Sequence, residues 1–120
     1  MAWIDSPEHH AQLAAESERL FEFGARAALP TGGFGYLDEQ GVVDPDRPVE
    51  LWITCRMTHV FALAALQGRP GAAELVDHGI AALTGIFADR EHGGWFPAVD
   101  RTTGEPVSTV KDAYPHAFVI

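Results

Sequence analysis

Cysteine is scarce here: Cys55 is the single one in a chain of 120 residues. That excludes an intrachain disulfide and a cysteine-built zinc site, and it fits a reducing compartment. Bases are few as well. Eight Lys and Arg stand against 17 Asp and Glu, giving a net charge of −9. Nucleic acid and anionic membrane are therefore disfavoured as partners, since both need a basic surface. Long hydrophobic runs are missing too, and none reaches the roughly 18 residues of a membrane span. Met1-Ala2-Trp3-Ile4-Asp5 has neither a basic n-region nor an apolar h-region. It does not read as a secretory signal, so the expected location is the cytoplasm. No HExxH, GxxxxGK[ST] or GxSxG pattern occurs. Thr31-Gly32-Gly33-Phe34-Gly35 follows a predicted helix, where a dinucleotide fingerprint would follow a strand.

What is present is an ordinary globular composition. Apolar residues make up 47% and charged residues 21% of a 13.0 kDa chain, which rules out a disordered or collagen-like protein. The length suits one domain, able to bury roughly 65% of its unfolded surface. The acid excess is uneven: residues 1–50 hold 10 acids and 3 bases, against 7 and 5 in residues 51–120. A solvated outer face accounts for this as well as any function does.

Periodicity and breakers predict four helices. Residues 8–28 form the first, with Ser6 as N-cap, Pro7 at its first position and Pro30 as its stop. Residues 31–48 form a loop with short extended pieces near Phe34–Leu37 and Val42–Val43, turned at Gly41. A second helix covers 49–67, closed by Gly68-Arg69-Pro70-Gly71. A third covers 72–88, where Leu75, Val76, Gly79, Ile80, Leu83, Ile86 and Phe87 follow the i, i+3, i+4, i+7 pattern. After a second glycine-rich loop over 89–111, a fourth helix begins near Asp112 with Pro115 in its first turn.

The layout repeats. Gly32-Gly33-Phe34, Asp38 and Gly41 precede one helix, and Gly93-Gly94-Trp95, Asp100 and Gly104 precede another, with the glycine pairs 61 residues apart. Such units stack so that each buries its neighbour's face. The last residues, Tyr114 to Ile120, open an apolar helix without a polar last turn or a cap. A helix that short is unstable alone, so the chain is expected to be part of something longer.

Trp52, Arg56, His59 and Leu63 fall on one stripe of the second helix. An arginine among Leu51, Trp52, Ile53, Cys55, Val60 and Phe61 needs partners if buried. Two roles stay open. Arg56 is structural, bonding loop carbonyls or an acid such as Glu50, or it points into a polar pocket beside Trp52. The second role would suit a sugar, because an indole packs on C–H faces and a guanidinium holds hydroxyl or carbonyl oxygens. The six histidines form no metal pattern. His9 and His10 are expected to be exposed, His78 to pack with one nitrogen satisfied, and His92 to lie in a loop. His59 and His116 are second-tier candidates, with core or supporting roles competing. Cys55 has no activating context.

The quoted residues resemble a known family. Pro30-Thr31-Gly32-Gly33-Phe34-Gly35-Tyr36-Leu37-Asp38 is similar to the first glycine loop of the N-acylglucosamine 2-epimerase superfamily. Leu51-Trp52-Ile53-Thr54-Cys55-Arg56-Met57-Thr58-His59-Val60-Phe61 resembles its arginine-bearing helix, and Gly68-Arg69-Pro70-Gly71 with Leu75 to Ile80 its next turn and helix. Gly93-Gly94-Trp95 and Lys111 to Phe118 resemble the second loop and helix. The wording is more similar to the D-mannose isomerase and sulfoquinovose isomerase branch than to the cellobiose and N-acylglucosamine epimerase branches.

The resemblance implies an all-α fold, part of an (α/α)6 barrel. Residues 1–120 would supply its first four helices, with glycine-aromatic loops between pairs, as the N-terminal portion of one barrel domain. It implies metal-free, cofactor-free isomerisation through a cis-enediol, or epimerisation by reprotonation of the other face. Arg56 would stabilise enediolate charge, Trp52 would pack on the sugar and Tyr114 would bond a hydroxyl, while the acid/base histidines would lie outside this chain. A chain that truly ended at residue 120 would instead be a non-catalytic helical module. The implied partner is a monosaccharide, with no nucleic acid and no membrane, and a homo-oligomer stays open.

Overall fold

The computed structural model describes residues 2–120. Helix α1 spans Pro7–Ala25. Ser6 caps it, its Oγ accepting the His9 N–H at 3.1 Å, and Pro7 fills the first helical position, where no N–H is missed. The helix stops three residues short of the expected 28. Ala27 and Ala28 turn tightly, their N–H groups bonding Gly24 and Ala25, and Ala28 then bridges to Phe34.

A short strand, β1 (Val49–Glu50), pairs antiparallel with β2 (Ala98–Val99), Val49 opposite Val99 and Glu50 opposite Ala98. The breaker pattern predicts a helix from residue 49, whereas Val49 and Glu50 form a strand. Their backbone is extended because the two glycine loops meet there. Helix α2 (Leu51–Leu66) starts immediately after β1. It ends in a Schellman-type closure: Arg69 N–H reaches the Ala64 carbonyl at 3.1 Å, Gly68 N–H reaches Ala65 at 2.9 Å, and Gly68 has φ +75°. Helix α3 (Ala72–Thr84) folds back on α2. Gly79 permits the contact, since a Cβ there would lie 1.9 Å from Thr58 Oγ1. The helix ends at Thr84 instead of residue 88, because Gly85 leaves the helical region at φ −113°, ψ −101°. Helix α4 (Ala113–Ala117) is capped by Asp112, whose carboxylate accepts the Tyr114 N–H.

The repeat is real down to its hydrogen bonds. Leu29 N–H bonds the Gly33 carbonyl as Asp89 N–H bonds Gly94, at 3.1 and 2.9 Å. Gly41 N–H bonds Asp38 as Gly104 N–H bonds Asp100. The carboxylate of Asp38 takes the N–H groups of Gln40 and Val42, and that of Asp100 takes those of Thr102 and Thr103. Gly33 and Gly94 share φ near +75°. Each loop is then pinned to its following helix by the N–H of the aromatic residue. Phe34 donates to Thr54 Oγ1 at 3.3 Å, and Trp95 donates to His116 Nε2 at 3.1 Å. One buried cluster joins Leu29, Val49, Leu51, Cys55, Ala82, Phe87 and Val99. Another joins Ala27, Phe34 and Phe61. No helix among the described residues is long and apolar enough to cross a membrane.

Candidate functional site

The start of α2 and the start of α4 lie together, and they bring Trp52, Arg56 and Tyr114 into one patch. The Trp52 and Tyr114 rings are 6.3 Å apart at 56°, and the Arg56 guanidinium carbon is 5.8 Å from the indole centre. Tyr114 also meets Phe118 edge-on at 5.1 Å. Trp52 and Tyr114 occupy the same place in their units: each is the second residue of its helix.

Arg56 is not buried among its apolar neighbours. It is exposed, and its side chain makes no hydrogen bond or ion pair among the described residues. It does not pair with Glu50, because that carboxylate is already engaged. Glu50 Oε2 accepts the Trp52 indole N–H at 2.9 Å and also the Tyr36 hydroxyl. The exposure follows from the helix face itself, on which Val60 and Leu63 are also uncovered. Arg56 is thus a solvated cation beside an aromatic face, free to meet an oxygen-rich ligand.

Around this patch sit groups that the sequence reading did not single out. The Arg47 guanidinium lies 3.6 Å above the Tyr36 ring. Burial, followed by the bond to Glu50, pushes the Tyr36 hydroxyl above its ordinary pKa. Lys111 bonds Asp89 at 2.5 Å, tying the second glycine loop to the segment that leads into α4. That bond, with backbone N–H groups of His92 and Glu91, holds the Asp89 carboxyl down at about 2. No sequence-local signal announced these pairs, since 14 residues separate Tyr36 from Glu50 and 22 separate Asp89 from Lys111.

The second-tier histidines part ways. His116 accepts the Trp95 N–H at Nε2, and its Nδ1 lies 2.7 Å from the Asp112 carbonyl. A backbone N–H can only donate and a carbonyl can only accept, so the ring is the Nδ1–H tautomer with both nitrogens in use. His116 is therefore a loop-to-helix tie. His59 is exposed and lines an open groove of about 700 Å³ with Arg56, Phe118 and Ile120, whereas Trp52 and Tyr114 stand outside that groove. His78 packs edge-on to Phe34 and donates Nε2–H to the Gly33 carbonyl at 2.9 Å, as expected. Burial pushes the Cys55 thiol up to about 11, away from nucleophilic use. Among the described residues, no three His, Cys, Asp or Glu side chains converge as a metal cluster would require.

Comparison with known proteins gives this geometry its setting. Residues 32–120 match the family model of N-acylglucosamine 2-epimerase (GlcNAc 2-epimerase). The chain is 49% identical over 118 residues to a D-mannose isomerase of Thermobifida fusca, covering 98% of this chain and 29% of that protein. It is 50% identical over 118 residues to a D-mannose isomerase of Pseudomonas cannabina pv. alisalensis, covering 98% and 28%. The backbone is similar to the solved cellobiose 2-epimerase of Spirochaeta thermophila DSM 6192, with a TM-score of 0.77 and 26% identity over 98% of this chain and 30% of that one. The chain thus spans less than a third of the length of these relatives. Its helices, with the α2–α3 hairpin and the two-strand sheet, are a portion of the (α/α)6-barrel fold. The chain belongs to the N-acylglucosamine 2-epimerase family.

Proposed function

We propose that residues 1–120 form the N-terminal portion of a single barrel domain, and that the whole protein is a cytoplasmic sugar aldose–ketose isomerase of the D-mannose/D-fructose type. The observation that carries the reading is the patch of Trp52, Arg56 and Tyr114, with a guanidinium, unpaired among the described residues, 5.8 Å from an anchored indole. The similarity to two D-mannose isomerases supports the choice of sugar and reaction.

The chemistry asks for three things. The sugar's C–H face needs an aromatic surface, which Trp52 offers. A hydroxyl needs a donor or acceptor, which the exposed Tyr114 phenol offers. Removing a proton next to the carbonyl builds negative charge on oxygen as the cis-enediol forms. Arg56, permanently charged, stabilises that charge where it develops. The proton itself is carried by histidines beyond this chain; His116 is unsuited to it, with both nitrogens occupied. The substrate is a monosaccharide, and no cofactor or metal enters the reading.

The test is product analysis with the full-length protein. Incubated with D-mannose in deuterated water, it should give fructose by NMR. Appearance of the C2-inverted aldose as the first product would replace the isomerase with a 2-epimerase. Activity should persist after chelator treatment, and its loss would remove the metal-independent mechanism.

A further inference from the structure

The residues proposed to meet the sugar are not equally held. Tyr114 and Arg56 are exposed, while Trp52 is fixed at its polar edge by Glu50. Glu50 is the N-cap residue of α2, a place where Asp, Asn, Ser or Thr bond the first free N–H groups of the helix. Here it makes no such bond. Its repeat counterpart Asp112 does, capping α4 through the Tyr114 N–H. Glu50 instead turns one oxygen to the Trp52 indole and the Tyr36 hydroxyl together. Its backbone is anchored in β1 opposite Ala98, and Arg47 covers Tyr36 from above. An indole has a single donor, so bonding it removes the freedom of the ring to turn over.

We propose that Glu50 is a positioning residue for the sugar pocket: its carboxylate sets the plane of the Trp52 indole, and Tyr36 and Arg47 hold the carboxylate in place. The inference rests on the proposed role of Trp52 as the surface on which sugar packs. It adds a support of four residues, Tyr36, Arg47, Glu50 and Trp52, in which only the last touches substrate.

The test is a double-mutant cycle in the full-length enzyme, with D-mannose as the probe and 5-fluorotryptophan as a reporter. Glu50→Ala should raise KM about tenfold and change kcat less than about threefold, as expected for lost binding geometry. Glu50→Gln should stay near wild type, because its amide oxygen still accepts the indole N–H. In a Trp52→Phe background, Glu50→Ala should add nothing further. The fluorine resonance lost in Trp52→Phe should shift in Glu50→Ala and stay in place in Glu50→Gln. Should Glu50→Ala fail to fold, Tyr36→Phe enters the same cycle and should raise KM only when Trp52 is present. Additive effects, or an unmoved resonance, would overturn the positioning role and leave the sugar-packing role of Trp52 standing. Wild-type kinetics in Trp52→Ala would overturn both.

Discussion

Replacing Arg56 with alanine separates a catalytic arginine from a structural one. Its side chain is exposed and makes no hydrogen bond or ion pair among the described residues. Its guanidinium carbon stands 5.8 Å from the centre of the Trp52 ring. An exposed cation over an aromatic ring contributes about 0.5–1 kcal/mol at most, and a surface substitution without other partners stays within about 0.5 kcal/mol. The fold should hardly notice the change. The reaction should notice strongly. Losing one preorganised donor to a developing oxyanion costs about 10²–10³ in rate, or about 2.7–4 kcal/mol. Arg56→Ala in the full-length enzyme should therefore lower kcat/KM for D-mannose at least 10²-fold, with unfolding free energy lowered by no more than about 1 kcal/mol. Arg56→Lys should recover part of the loss, since charge returns without the planar fork. The assay pairs ketose formation with denaturant unfolding of the same preparations. Activity within threefold of wild type would refute the substrate role. Parallel loss of activity and stability would refute the argument from exposure.

Other expectations follow from single contacts. Gly79→Ala places a methyl carbon 1.9 Å from Thr58 Oγ1. It should cost about 1–3 kcal/mol of unfolding free energy by overpacking, and Thr58→Ala in the same chain should recover part of that. Asp89 ionises at about 2 in the folded chain, below its ordinary 3.8, chiefly through Lys111. A lowered folded pKa contributes stability above the unfolded pKa, and this is lost as pH falls through the folded one. Asp89→Asn should therefore flatten the stability curve between about pH 4 and pH 2, as measured by denaturant unfolding at each pH. The Cys55 thiol, buried and raised to about 11, should resist iodoacetamide at neutral pH until denaturant is added. Labelling of the native protein at the unfolded rate would contradict its burial.

Much of this fold was legible, and the reasons are local. Ser6-Pro7, Gly68 and the apolar stripe of α3 each act within a few residues, and each marks an element that the structure contains. The repeat was legible because its glycines must sit at positive φ and so cannot drift unseen. What escaped was built between distant residues. Two-residue strands carry no periodicity, so β1 and β2 were invisible until the loops met. The end of α3 was set too late because Ile86 and Phe87 continue the apolar pattern, while Gly85 turns the backbone out of the helix before them. The site was half legible. Trp52, Arg56 and Tyr114 do converge, and Arg56, whose role the sequence leaves open between structural and pocket-facing, is solvated. Glu50 was noticed as a partner for Arg56, and its actual partners are an indole two residues on and a phenol on the preceding loop.

The paired glycine loops also bear on how the pocket could be altered. The bonds that close each loop run mostly between backbone atoms, or from backbone to a single Asp. The residue that each unit would present to the proposed sugar pocket stands two positions into the following helix, Trp52 in one and Tyr114 in the other. Mount and tool are separate parts in the second unit, while in the first the Trp52 indole is tied through Glu50 to Tyr36 of the loop. One frame already carries a fused bicyclic ring in the first unit and a phenol in the second. Under the proposed sugar role, exchange of Tyr114 would retune ligand preference with its loop left untouched, whereas exchange of Trp52 would also release Glu50 and the Tyr36 hydroxyl of the first loop.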